Sequence, residues 1–504
     1  MDAFFAWWLG TLPPIGGELR VIFLTGLLVL CLVDKPSPLW AAETIRGCDR
    51  TFYSPPRILR MFGIRWVQPR VLAAIAIFTI GCWVLAILGL AQPGFAIMTF
   101  LGFGFLHAVA SGALGSNHST HSAVYALFCF QFSVSYEWSL DGLISRWTGA
   151  GPIVPSESPL HSGFAPTLLL VLLAFTVFAG GIAKLRYGWR GWRTGAALHF
   201  YVDRSAPAAR WAWASRFLTA RPWLCMPAAF MSVAIELGAI LAVFSEPLRP
   251  WNILSWVALH VAILLVMMPA YWVQMWCYLL LIDWPALFHT GPIVYRPVAG
   301  DPWPIVLAVI GTAIAVALVA VLIFEVEQWP FTNVPMYSNG TPSADRVALP
   351  ERGSLRRRAE AMLRGRQGQW PRAWVDVEAV QDLWLVPADG GVPTPLWHTM
   401  ADAGVAPVRW SQYAKIVREV TCAQVAAAPS AEPSDVPPAS APATPFLDRV
   451  AMVVHRHLPN AERFTEIRLV VETSSGQTTV ARHPLGSAGQ AAEDAQPETT
   501  LERR

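Results

Sequence analysis

The chain has 504 residues, of which 54% are hydrophobic and 14% are charged, and its formal net charge is +3. Soluble domains carry about 25% charged residues, so this composition and the mean hydropathy of +0.42 exclude a water-soluble globule as the main part of the chain. Beyond two arginine-rich loops, nothing in the sequence supports nucleic-acid binding. The sequence predicts a polytopic membrane protein whose first partner is the lipid bilayer.

The apolar residues recur in runs near the roughly 20 residues that a helix needs to cross about 30 Å of hydrocarbon. The first 20 residues lack a basic leader and a small-residue cleavage site, so no removable signal peptide is predicted. Only Pro269 separates the seventh and eighth runs, which could form one broken helix. The predicted spans are 19–34, 69–91, 94–115, 121–136, 165–184, 223–245, 251–268, 270–287 and 303–326.

Basic residues concentrate in the loops 35–68 and 185–222, which both follow odd-numbered spans. The positive-inside bias predicts that these loops are cytoplasmic. If successive spans alternate in direction, the start of the fourth span, the end of the fifth and everything after the ninth share one face. The alternation therefore predicts that His118, His121 and Lys184 can meet.

The composition after Glu327 is that of a water-facing region. Segments Trp374–Val377 and Arg468–Val480 alternate as strands do, the latter broken at 474–476. The basic stretch Arg352–Arg366 could be a solvated helix or a contact with lipid headgroups. The predicted fold is an all-α membrane helix bundle of about nine spans with a smaller α+β region. Its predicted divisions are 1–327 (transmembrane), 328–423 (α+β), 424–445 (Ala/Pro/Ser-rich linker), 446–486 (short α+β) and 487–504 (disordered tail).

Polar side chains inside apolar spans are costly and are therefore candidates for function. His118 and His121 lie three residues apart at the start of the fourth span, on one helical face. They could equally satisfy backbone groups at the membrane interface. Lys184 ends the fifth span behind Gly180 and Gly181, which allow close approach of a backbone or ligand, although a lysine at a helix end can also reach for headgroups.

Lysine is rare in this chain, with three lysines among 37 basic residues. Arginine keeps its proton and cannot replace an amine that must lose it. A lysine in an apolar span therefore indicates a function for its amine, unless the excess of arginine only reflects genome composition. Polar residues inside other spans could form helix-to-helix hydrogen bonds or belong to a site. They are Glu236, His260 and Gln274, and Asp141, which follows the fourth span, is considered with them. The seven cysteines show no metal-type spacing, and no metal is expected.

Three motifs stand out in the apolar part of the chain, at 121–131, 138–143 and 180–185. Together they resemble the vitamin K-dependent gamma-carboxylase and its bacterial relatives that share the HTTM (horizontally transferred transmembrane) domain. His121-Ser122-Ala123-Val124-Tyr125, continuing to Phe130-Gln131, is similar to the family pattern H-S-x-x-Y-x-x-x-x-F-Q. Trp138-Ser139-Leu140-Asp141-Gly142-Leu143 is similar to W-S-V-D-G-L. Gly180-Gly181-Ile182-Ala183-Lys184-Leu185 is similar to the segment with the catalytic lysine, and the likeness covers roughly residues 18–290.

The resemblance implies that His121 and Lys184 are catalytic. It implies that His118, Tyr125, Gln131, Asp141 and His260 bind substrate. The departures are Thr120 in place of the family's asparagine, so that Asn117 could anchor the motif at His118, and Ala183 in place of a first lysine. Nothing after residue 340 resembles the large domain that holds protein substrates in the animal enzyme, which leaves protein carboxylation open.

The implied chemistry oxidises a reduced naphthoquinone of the vitamin K or menaquinone type with O2 and can add CO2 to a glutamate. Burial disfavours the ammonium form of lysine, so Lys184 is expected to act as a neutral amine that takes a proton from the quinol, with His121 steadying the charge. The expected location is a bacterial inner or plasma membrane. The family orientation would put the site on the exoplasmic side, whereas the arginine-rich loops indicate the cytoplasmic side.

Two other functions fit the same sequence. The chain could be a non-catalytic scaffold or a transport or assembly component that binds a protein through 328–504. It could also be another quinone oxidoreductase that needs an added redox centre. No dinucleotide-binding glycine motif followed by a suitable acidic residue, and no CxxCH motif, is found in the sequence.

Overall fold

The structure is a computed structural model that describes most of residues 2–324 and parts of the C-terminal region. The described residues are 2–34, 37–46, 48, 53, 55–114, 118–149, 160, 162–205, 209–267, 271–284, 303–324, 327–328, 331–332, 380–391, 393–396, 399, 444–458, 461–473 and 476–485. The predicted strand Trp374–Val377, the basic stretch Arg352–Arg366, the linker 424–443 and the tail 487–504 lie outside them.

The first 324 residues are helical wherever they form regular structure in the described part of the chain. The helices are α1 (Asp2–Gly10), α2 (Gly17–Val33), α3 (Ala41–Arg46), α4 (Arg57–Met61), α5 (Pro69–Ile87), α6 (Gly94–Leu114), α7 (His118–Phe130), α8 (Leu140–Thr148), α9 (Phe164–Thr194), α10 (Ala196–Ser205), α11 (Ala212–Thr219), α12 (Pro222–Gly238), α13 (Leu241–Phe244), α14 (Arg249–Met267), α15 (Trp272–Tyr278) and α16 (Trp303–Phe324). Short 3-10 turns lie at Pro38–Trp40 and Leu279–Leu281.

Six helical segments in the described residues are long and apolar enough to cross a bilayer, as expected of an integral membrane protein. They are 69–87, 94–113, 164–186, 222–244, 249–267 and 303–323. The prediction of nine spans is not confirmed. The helix over the predicted span 19–34 has 17 residues and is not among the six, and the apolar helices at 120–130 and 272–281 are shorter still. At 1.5 Å per residue, the last two cover about half of the hydrocarbon thickness.

The 31-residue helix α9 is the most buried of the six spans and packs against α12, α7, α1 and α16. Its buried face carries leucine, alanine and phenylalanine from Phe164 to Ala183. The outward faces of α5, α14 and α16 instead expose large apolar side chains such as Ile77, Leu254 and Val309. Apolar residues on both the inner and the outer faces of the bundle are expected where lipid surrounds the helices.

Helix α15 fits against α2 because Gly26 leaves room for an aromatic ring. A Cβ atom added to Gly26 would overlap the indole of Trp276, whose Nε1 donates a hydrogen bond to the carbonyl of Phe23 at 2.9 Å. The glycine therefore permits the contact that places α15 in the bundle.

We expect Gly26→Ala to destabilise the bundle by about 1–3 kcal/mol, because an added methyl group overpacks a filled interface. The matched control is Gly81→Ala in α5, where an added Cβ meets nothing within 4 Å among the described residues. Thermal unfolding in detergent checks both variants. Equal unfolding temperatures for the two would contradict the close packing of Gly26 on Trp276.

The C-terminal region forms one antiparallel sheet and a helix. Its elements are β3 (Val380–Pro387), β4 (Thr394–Pro395), α17 (Thr444–His457), β5 (Phe464–Thr473) and β6 (Gly476–Pro484), while β1 (Glu327–Gln328) and β2 (Phe331–Thr332) form a separate two-residue ladder. The sheet order is β4-β3-β5-β6. The central pairing of β3 with β5 joins the predicted divisions 328–423 and 446–486 in one sheet.

Candidate functional site

Lys184 is buried inside the bundle, with 4% of its surface exposed. Its Nζ donates hydrogen bonds to Glu236 Oε1 at 2.6 Å and to Ser232 Oγ at 2.8 Å. Ser232 and Glu236 lie four residues apart on α12 and therefore share the face that meets α9. The lysine does not reach for headgroups; it forms a buried pair with a carboxylate.

The two glycines before Lys184 allow α12 to approach α9 at this point. A Cβ atom on Gly181 would lie 3.0 Å from the Cβ of Glu236, and one on Gly180 would lie 3.7 Å from its Cδ. Trp192, two turns after Lys184, completes the enclosure, since the ammonium lies 4.1 Å from the centroid of its ring. An aromatic face at this distance attracts a cation and excludes water from it.

The second carboxylate oxygen of Glu236, Oε2, is not used in the hydrogen bond with Lys184. Glu236 is 8% exposed, and its Oε2 has no hydrogen-bond partner among the described residues. Buried polar atoms usually have partners, so an open one inside a bundle is unusual. A carboxylate that is held by an ammonium on one oxygen and open on the other can accept a proton.

A second polar cluster lies on α14 and α15 around His260. The His260 Nδ1 lies 2.7 Å from the carbonyl oxygen of Trp256. Because a carbonyl only accepts, Nδ1 carries the hydrogen in this contact. The imidazole packs against Tyr271 and Tyr278 with ring centroids 5.0 and 5.7 Å away, and Gln274 Nε2 donates to Tyr278 Oη at 2.8 Å.

The two clusters lie on helices that pack together. Helix α12 contacts both α9 and α14, and α14 contacts α15. The structure therefore brings the predicted residues Lys184 and His260 into one buried polar region.

His121 is buried on α7 and contacts a different set of rings. Its ring centroid lies 4.5 Å from that of His107 on α6 and 5.9 Å from that of Tyr125. The hydrogen bonds of Lys184 go to α12 and not to His121. Helix α15 links the two regions, because Cys277 Sγ lies 3.4 Å from the carbonyl oxygen of Ser122 on α7.

The other predicted residues of the H-S-x-x-Y motif are partly described. Tyr125 is buried in the core. Gln131 follows the last residue of α7, and its buried Nε2 has no hydrogen-bond partner among the described residues. His118 begins α7, and its side chain lies outside the described part of the structure.

Asp141 holds a turn between the helices α5 and α6. Its Oδ1 accepts a hydrogen bond from the N–H of Ala91 at 2.8 Å, and its Oδ2 accepts one from the N–H of Gln92 at 2.9 Å. Ala91 has a φ of 47°, a left-handed conformation that is unfavourable for residues other than glycine. Both carboxylate oxygens thus stabilise a strained backbone.

We expect Asp141→Asn to destabilise the protein by about 1.5–3 kcal/mol, because an amide can accept only one of the two backbone hydrogen bonds and carries no charge. Any activity that remains per folded molecule should be unchanged. Thermal unfolding combined with activity normalised to folded protein checks this. A full loss of activity in a protein of unchanged stability would instead place Asp141 in substrate binding.

Comparison with known proteins adds no relative. No protein-family model, no curated protein and no solved structure matches the chain. The assignment of function therefore rests on the motifs and on the geometry described above.

Three residues of the buried clusters were not singled out from the sequence. His107 and Arg20 are ionisable residues inside predicted spans, so the criterion that singled out Glu236 would have found them. Arg20 is buried and donates to the carbonyl oxygens of Ser135 and Trp138, each at 2.7 Å. Ser232 carries no such signal, because a serine in an apolar helix commonly binds the backbone of its own helix.

Proposed function

We propose that the chain is a membrane enzyme that resembles the vitamin K-dependent gamma-carboxylase and oxidises a reduced naphthoquinone to its epoxide. The observation that carries the proposal is the buried hydrogen bond between Lys184 and Glu236. It supplies a proton-accepting pair in an apolar interior, in the segment that resembles the catalytic lysine segment of that family.

The overall reaction is balanced by one molecule of O2. One oxygen atom enters the epoxide, the other leaves as water with the two quinol hydrogens, and the quinol is the reductant. In the carboxylating version, the strong base formed when the quinol reacts with oxygen takes a glutamate γ-proton, and CO2 forms a bond to that carbon. The added CO2 becomes a carboxylate, and one proton is released in the net reaction.

The role of this chain is to begin the reaction by removing a quinol proton. Within the 2.6 Å hydrogen bond, Lys184 can pass its proton to Glu236 Oε1 and become a neutral amine. Low dielectric surroundings favour this exchange, because burial penalises two separate charges. The amine then accepts the hydroxyl proton of the quinol as a general base.

The neighbouring residues would bind the quinol head and keep water away. His260 and Tyr278 provide polar groups beside the pair, and Trp192 covers the ammonium. We assign His121, Tyr125 and Gln131 to the other side of the same region, across α15, and propose that His118 also binds the substrate. Water exclusion matters because solvent would quench the strong base that the reaction produces.

A lipid-soluble quinone reaches such a site through the bilayer and needs no water-filled route. We place the protein in a bacterial inner membrane, with the 328–504 region available to a protein substrate or partner. Carboxylation is the part of the proposal that depends on such a partner.

The test is turnover by the purified chain in lipid nanodiscs supplied with reduced naphthoquinone and O2. The expected products are the epoxide and water, and a glutamate peptide with labelled CO2 shows whether carboxylation follows. Epoxide without labelled peptide would support an epoxidase alone. If no quinone turns over and the 328–504 region captures a partner protein, the chain is a scaffold that keeps this fold.

A further inference from the structure

The helix α11 forms an exposed surface of arginine and aromatic side chains at one end of the bundle. We propose that this surface binds the headgroups of anionic phospholipids. The residues of the surface, named here the α11 surface, are Arg210, Trp211, Trp213, Arg216, Phe217, Arg221 and Trp223.

The position of α11 places this surface at a membrane boundary. Its buried residue Ser215 donates to the carbonyl oxygen of Val266 at 2.8 Å, and the N–H of Trp211 donates to the carbonyl oxygen of Leu265 at 2.9 Å. These carbonyls belong to the last turn of the apolar span α14, and Pro222 begins the apolar span α12 just after α11. The helix therefore lies across the ends of two spans, where the hydrocarbon gives way to headgroups.

The outward side chains are those that the headgroup region favours. Trp213 is 66% exposed and Trp223 is 69% exposed. Trp211 and Trp213 stack with ring centroids 5.9 Å apart, and the guanidinium of Arg221 lies 4.1 Å from the centroid of Phe217. Amphipathic aromatic rings partition to membrane interfaces, and the contact with Phe217 holds Arg221 beside them.

The charge of the surface selects the lipid. Residues 209–226 contain three arginines and no aspartate or glutamate. At the other end of α12 and α14, the connection 239–248 contains Glu246 and no basic residue. Arg249, which follows it, is engaged with the carbonyl oxygens of Ala242 and Thr11. A guanidinium binds a phosphate through two parallel hydrogen bonds, so the α11 surface suits a phosphate-bearing anionic headgroup.

A membrane lipid fits this surface better than a protein partner does. Trp223 lies on α12 three and seven residues before the exposed apolar residues Met226 and Phe230, and therefore on the same face of that span. A phospholipid matches this layout, with its phosphate at the arginines and its acyl chains along α12. A soluble protein would have to cover surface that faces the hydrocarbon.

The experiment uses the full chain, purified in detergent and equilibrated with equal parts of phosphatidylcholine and phosphatidylglycerol, with the retained lipid measured by mass spectrometry. Each basic residue near an anionic surface changes binding about fivefold. The variant Arg210→Gln/Arg216→Gln/Arg221→Gln should therefore lose phosphatidylglycerol enrichment by roughly a hundredfold. Added salt should lower the enrichment of the unchanged chain, because salt screens exposed charges.

The matched control is Arg449→Gln/Arg463→Gln/Arg482→Gln in the C-terminal region, which should keep the enrichment. The variant Arg210→Lys/Arg216→Lys/Arg221→Lys should keep most of it, which guards against misfolding of the glutamine variant. Undiminished enrichment in the glutamine variant would overturn the proposal, and so would an equal loss in the control. Enrichment that is insensitive to salt, or no enrichment in the unchanged chain, would also overturn it.

Discussion

Lys184→Ala is expected to lower the rate of quinol epoxidation by about 10²–10⁴-fold, the usual contribution of a general base. Alanine removes the only amine in the buried polar region formed by the described residues of α9, α12 and α14. The measurement is epoxide formed in a single turnover, with enzyme in excess over quinol. Chemistry is then separated from quinone exchange with the bilayer.

The control for this prediction is Lys184→Arg. Arginine keeps the positive charge and can still pair with Glu236, but it does not give up its proton. We expect the arginine variant to remain folded and to be as slow as the alanine variant. Normal epoxidation by either variant would show that the amine of Lys184 is not the base.

Glu236→Ala is expected to destabilise the bundle by about 3–5 kcal/mol, because it leaves the buried ammonium of Lys184 without its carboxylate. The double variant Lys184→Met/Glu236→Leu should recover most of this loss, since apolar side chains of similar volume replace a buried ion pair at little cost. Thermal unfolding in detergent measures both. Ser232→Ala should cost only about 1 kcal/mol, because it removes one hydrogen bond.

The double variant also distinguishes a structural role of the Lys184–Glu236 pair from a catalytic one. If the pair is only a structural tie between α9 and α12, a stable double variant should retain whatever the protein does. If the pair is the base, the double variant should be stable and unable to form epoxide. Unchanged stability of Glu236→Ala would contradict the buried contact itself and would leave the amine to be tested by the Lys184 variants alone.

Several features of the fold could be predicted from local sequence because a single segment determines them. Apolar runs such as 69–91 and 303–326 must be helical in lipid, where every backbone group needs an internal partner. The alternating segment Arg468–Val480, with its break at 474–476, likewise corresponds to the two strands β5 and β6, which pair antiparallel. The count of nine spans is not confirmed, because hydropathy does not show that α2, α7 and α15 form shorter helices than the other six.

The residues of the candidate site could be predicted from the sequence, but their pairing could not. The rarity of lysine and the glycines before it identified Lys184, and polarity within apolar spans identified Glu236 and His260. Their pairing is not visible in the sequence, because Lys184 and Glu236 are separated by 52 positions. The sequence left open whether Glu236 forms a helix-to-helix hydrogen bond or belongs to a site, and it grouped Lys184 with His121. The hydrogen bonds of Lys184 are instead made to α12.

Asp141 shows why a motif alone does not assign a role. The resemblance implied substrate binding, while the structure uses both carboxylate oxygens to hold the backbone at Ala91 and Gln92. A residue that shapes a turn can recur in a motif as readily as one that touches a ligand.

The sequence by itself determined that this is a membrane protein and which of its segments are helical. It also determined which polar residues are energetically costly to place inside an apolar span. Only the tertiary structure decided which of those residues meet, and that α9 and α12 pack closely enough to seal Lys184 against Glu236. The physical reason is that hydrophobic periodicity is a local property of the chain. The partner of a buried charge is set instead by helix packing between segments that are distant in sequence.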